Sequence, residues 1–103
     1  MPVEEALWER LMEYVGREDG RVFDLYGHLL GRFQERVDAV FRRAIANTAA
    51  AAANRPAYRT LCAQIRVYGS ACGQTAAEEI IRMLREAYRR RPAMLDVLSK
   101  AFL

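Results

Sequence analysis

From Arg21 to Asn54 the chain contains no proline, while Val22, Tyr26, Leu29, Phe33, Val37, Val40, Phe41, Ala44 and Thr48 recur mostly at intervals of three and four. That spacing puts apolar side chains on one side of a 3.6-residue helix and predicts a single long rod with a buried stripe. A stripe of that length needs cover. The flanking segments carry shorter stripes of the same period and are bounded by Gly or Pro, so they can provide it. The predicted fold class is all-α: one domain over residues 1–103, an antiparallel bundle of about five helices with the long helix at its centre.

Composition sets the limits. A chain of 103 residues that is 52% hydrophobic has material for one modest core and too little for two. No uninterrupted apolar run approaches the roughly 20 residues needed to span a bilayer. The acidic start, Glu4, Glu5 and Glu9, lacks the basic region of a signal peptide. Two cysteines are too few for a disulfide framework. A cytoplasmic protein without a membrane partner is the expectation.

The punctuation divides the chain further. A first helix from Val3 to Val15 is expected, with Pro2 in its first turn, Leu7, Leu11, Tyr14 and Val15 as its stripe, Trp8 at the edge and Gly16 as its stop. Within the long helix Gly27 and Gly31 each cost about 1 kcal/mol of helix propensity relative to Ala. They imply a kink, a break or the close approach of another helix, from this chain or a second copy. Close approach is the expectation. A third helix should run from Pro56 to Tyr68, with Tyr58, Leu61, Cys62 and Ile65 inward and Gly69 as its stop. Thr75-Ala76-Ala77-Glu78 reads as a capping box opening a fourth helix that carries Ala77, Ile80, Ile81, Leu84, Ala87 and Tyr88. After Pro92 a last short helix carries Met94, Leu95, Leu98 and Phe102.

The inventory for catalysis is thin. His28 is the only histidine, with Asp24 and Arg32 one turn to either side, but no nucleophile shares that face. A zinc site wants about four Cys or His ligands at close spacing, whereas His28, Cys62 and Cys72 are scattered singly. Gly69 and Gly73 bracket a helix entry whose backbone N–H groups suit an anion, without the lysine and spacing of a phosphate-binding loop. No catalytic residue, metal, cofactor or small-molecule substrate is inferred.

Charge is the better lead. The net charge is only +3, but the first segment is acidic and everything after Gly20 is basic, almost entirely through Arg, with Lys100 the sole lysine. Arg82, Arg85 and Arg89 lie three and four apart on the outer side of the fourth helix, Arg90 and Arg91 extend them, and Arg59 and Arg66 lie two turns apart on the third. Such a patch is the electrostatic footprint of nucleic-acid binding. Glu78, Glu79 and Glu86 on the same helix are spaced to neutralise part of it by neighbouring pairs.

The stretch from Tyr58 onward, above all Tyr88-Arg89-Arg90-Arg91-Pro92-Ala93-Met94-Leu95-Asp96-Val97-Leu98, resembles the C-terminal helical region of bacterial SWIM-type zinc-binding proteins. The resemblance implies a helical-repeat scaffold that offers surfaces to other molecules. The Cys and His ligands of that family's zinc module are absent here, so no metal site carries over. The first expectation for function is a non-enzymatic protein–protein interaction module, as a homodimer or as one subunit of a larger assembly. The alternative is a small helical subunit that contacts nucleic-acid phosphates through its Arg-rich faces, as the small helical subunits of CRISPR effector complexes do.

Overall fold

The computed structural model describes residues 3–102, and they are all helix and turn: α1 (Val3–Arg17), a short 3-10 turn (Asp19–Arg21), α2 (Val22–Leu29), α3 (Gln34–Ala51), α4 (Arg55–Cys72), α5 (Gln74–Ala87) and α6 (Pro92–Phe102). The expected role of Pro2 lies outside the described residues. Among those residues there is no strand, and no helix is long and apolar enough to cross a membrane. The all-α class stands, with six helices in place of about five.

The central rod is not one helix. Backbone hydrogen bonds from Leu30 N–H to the Tyr26 carbonyl and from Arg32 and Phe33 N–H to the Leu29 carbonyl close α2, and α3 starts afresh at Gln34. The glycines explain the break in kind, and no close crossing by the described part of this chain accompanies it. A Cβ at position 27 or 31 would meet nothing within 4 Å beyond its own surroundings, so no other described segment comes close at Gly27 or Gly31. Their low helix propensity lets the rod break. At Gly27, inside α2 with open space around it, an Ala is expected to stabilise the protein by about 0.5–1 kcal/mol, read as a raised midpoint in chemical denaturation.

The chain divides into two compact units, Met1–Ala44 and Ile45–Leu103, with α3 running through the boundary. In the first, α1 packs against α2 and the 3-10 turn. Its core is Met12, Val15, Val22, Leu29, Val37, Val40, Phe41 and Ala44, all buried. The Phe41 ring meets the edge of Phe23 at 5.5 Å between centroids and is tilted against Tyr26 at 5.6 Å. The register of α1 agrees with the expected one at Val15 and differs from it at Leu7 and Tyr14. Met12 and Val15 are buried, with Trp8 at intermediate exposure in line with them, while Leu7 is 57% and Tyr14 37% exposed. Both stripes have helical spacing, and only packing chooses between them. Arg43 donates to the Gly16 carbonyl and pairs with Asp19, and Arg36 pairs with Glu9 at 2.7 Å, tying α3 to α1 and the turn after it.

In the second unit α4 packs against both α5 and α6. Asn54 caps α4, its side chain accepting from Ala57 N–H at 2.9 Å, with Pro56 in the first turn where a missing N–H costs nothing. Tyr58, Leu61, Cys62 and Ile65 are buried as expected, and so is Tyr68. Ala49 and Ala52, from the small-residue string expected only to fray, are buried too. Gly69 does not stop the helix, which continues for one further turn. A Cβ there would sit 3.2 Å from the Ala77 Cβ, so Gly69 is where α4 and α5 cross closely. The stop is Gly73, whose φ of 101° and ψ of 157° belong to a region that side-chain-bearing residues rarely occupy. It ends α4 and caps α5 at once. The expected Thr75–Glu78 capping box is absent: α5 begins at Gln74, whose amide donates to Glu78 at 3.2 Å.

Arg55 at the start of α4 and Lys100 near the end of α6 both grip Asp96, at 3.0 Å and 3.3 Å. Their hydrogen bonds, Arg55 first, hold the Asp96 carboxyl below the usual carboxylate range. Burial pushes the Cys62 thiol up, against a smaller opposing pull from Arg66, so it stays protonated. Cys72, near the end of α4, is partly exposed. A thiol reagent added to the folded protein is expected to modify Cys72 first and Cys62 only on unfolding. Faster labelling of Cys62 would mean that α4 presents a different face to the core.

Candidate nucleic-acid interface

The arginines on α4, on α5 and at the α5–α6 corner divide into two sets. Arg66 and Arg91 are occupied by the fold. Arg66 lies over the Phe102 ring at 5.4 Å and donates to the Ala101 carbonyl at 3.4 Å, bracing α6 against α4. Arg91 lies over the Tyr88 ring at 5.1 Å and donates to the Ala52 carbonyl at 3.0 Å, just past the end of α3. Arginine suits both posts, since its flat cation stacks on a ring while its fork reaches a carbonyl.

Arg59, Arg82, Arg85, Arg89 and Arg90 form the other set. All five are exposed. The ion pairs among the described residues are made by Arg36, Arg42, Arg43, Arg55 and Lys100, and none of these five takes part. Of the glutamates spaced to neutralise the patch, Glu78 bonds Gln74. Ile80, Ile81 and Leu84 turn one face of α5 into the core and leave Arg82 and Arg85 exposed, with Arg85 near the negative end of the helix dipole; Arg89, expected on the same helix, lies in the turn beyond Ala87 because the helix ends there. Beyond α5, the segment from Glu86 to Arg91 lines a shallow hollow of about 460 Å³ whose rim carries Arg89 and Arg90.

The other sequence candidates do not assemble into a site. His28 is exposed and stacks near Trp8, with ring centroids 6.4 Å apart, while Arg32 lies over the same indole at 5.0 Å. Its neighbours are an aromatic ring and a cation, not a nucleophile. Gly73 N–H, one of the groups considered for an anion, donates to the Gly69 carbonyl at 2.9 Å. Among the described residues no group of three or more His, Cys, Asp or Glu is placed to hold a metal ion.

Among the described residues the large exposed apolar side chains are Leu7 and Tyr14 on α1 and Met83 on α5. Sequence spacing had placed Leu7 and Tyr14 inside, and their exposure follows from the rotated register of α1. Comparison with protein-family profiles, with curated proteins and with solved structures finds no match for this chain.

Proposed function

We propose that the protein is a non-enzymatic helical binding module whose working surface is the arginine face of α5, held against the phosphates of a nucleic acid. One observation carries this reading: Arg82, Arg85, Arg89 and Arg90 are exposed on and just beyond α5, and none of them takes part in the ion pairs seen among the described residues. Arginines kept apart from their own carboxylates present charge outward, and the guanidinium fork matches phosphate oxygens. The scaffold implied by the resemblance of the second half to the helical region of SWIM-type proteins agrees with such a role.

A second reading, a protein partner or a second copy of this chain, is favoured by the stripe of Leu7, Leu11 and Tyr14 on α1, with Leu7 57% exposed. Salt separates the two. Phosphate contacts release counterions, so affinity falls steeply as salt rises, whereas an apolar helix contact changes little. Reversing Arg82, Arg85 and Arg89 to Glu is expected to abolish binding to a labelled oligonucleotide at low salt and to leave the helical circular dichroism unchanged. Wild-type protein that binds no oligonucleotide at low salt would remove the first reading.

A further inference from the structure

Resting on the reading of the α5 face as a phosphate-binding surface, the geometry points to double-stranded rather than single-stranded nucleic acid as its ligand. Proteins that hold single strands combine a basic track with exposed aromatic rings on which successive bases stack, and that stacking offsets the ordering of a flexible strand. The Ile45–Leu103 unit offers no free ring among its described residues. Tyr58 and Tyr68 are buried. Tyr88 and Phe102 are partly exposed, but each already has a guanidinium of its own chain over one face, Arg91 and Arg66 respectively. The two occupied arginines thus take one stacking face of each ring that a base would need.

What remains is charge on a rigid support. Arg82 and Arg85 stand one turn apart on α5, about 4.5 Å along its axis, and Arg89 and Arg90 follow in the turn just beyond it. A duplex presents phosphates in an equally fixed array, so neither side pays for ordering its backbone. A single strand would have to be ordered by phosphate contacts alone. Nothing in this surface reads base edges, so binding should be indifferent to duplex sequence.

The test is fluorescence anisotropy with the full chain and three labelled probes: a mixed-sequence duplex of about two helical turns, one of its component strands, and an oligo-dT of the same length. The duplex is expected to bind at least tenfold more tightly than either single strand. With four arginines each neutralising one phosphate, its affinity should fall about 150-fold between 50 and 200 mM salt. Changing Arg82, Arg85 and Arg89 together to Gln should remove about three-quarters of that salt slope, and the Glu variant should abolish binding. Tyr88→Leu should leave duplex affinity within about twofold. Single strands bound as tightly as the duplex, or a Tyr88→Leu variant that loses tenfold, would overturn the duplex assignment while leaving the phosphate surface standing. Binding to none of the probes, or full affinity in the Gln variant, would overturn both.

Discussion

Replacing Phe41 with Ala is expected to cost the folded state about 3–5 kcal/mol, the range for removing a fully buried aromatic ring. Phe41 is 0% exposed, and its ring meets Phe23 and Tyr26 from α2. Aromatic pairs in such edge and tilted arrangements add to the burial of area alone, so the loss should lie toward the upper end. A domain of this size has about 5–15 kcal/mol in total, and the variant should unfold at a much lower denaturant concentration. Leu7→Ala is the matched control, since Leu7 is 57% exposed and its loss should change stability by no more than about 0.5 kcal/mol. Denaturant titration followed by circular dichroism measures both. A Phe41→Ala protein within 1 kcal/mol of the parent would show that the ring does not hold α2 to α3.

Gly69→Leu is expected to be the most disruptive glycine substitution in a helix interior, at about 3 kcal/mol. A single Cβ there already lies 3.2 Å from that of Ala77, closer than most real contacts, and Ala77 is itself buried. A leucine would force α4 and α5 apart, and the burial of Ile80, Ile81 and Leu84 depends on α5 staying against its neighbours. Ala at the same position adds only the Cβ, which a small shift of Ala77 relieves, and the gain of about 1 kcal/mol in helix propensity works against the strain. The ranking is therefore Gly27→Ala above the parent, Gly69→Ala near it and Gly69→Leu far below. Thermal or denaturant melts of the three variants read that order directly. A Gly69→Leu protein as stable as the parent would mean that the helices do not cross at that residue.

Where one side of a segment was apolar and the other charged, spacing alone was sufficient. Tyr58, Leu61, Cys62 and Ile65 on α4, and Ala77, Ile80, Ile81 and Leu84 on α5, are buried as their period predicts, because only one face of each helix offered a stripe. On α1 two stripes interleave, Leu7, Leu11 and Tyr14 beside Trp8, Met12 and Val15, and both satisfy the same period. Local sequence has no means of choosing between them, since the choice is made by the area each would bury against α2 and α3. The outcome left Leu7 and Tyr14 outside, which is what raises the second functional reading.

The glycines divide in the same way. Helix, turn and all-α class were determined by the chain itself, through period, proline placement and the Asn54 cap. The sequence marked Gly27, Gly31, Gly69 and Gly73 as positions of low helix propensity, but one residue type serves a break, a close crossing or a positive φ equally well. The tertiary structure assigned a break near Gly31, a crossing to Gly69 and a φ of 101° to Gly73. It also sorted the arginines, sending Arg66 to Phe102 and Arg91 to Tyr88 while leaving Arg82, Arg85 and Arg89 exposed. A guanidinium on a long flexible stem reaches carboxylates, carbonyls or rings alike, and its partner is settled only when the fold brings one within about 4–6 Å.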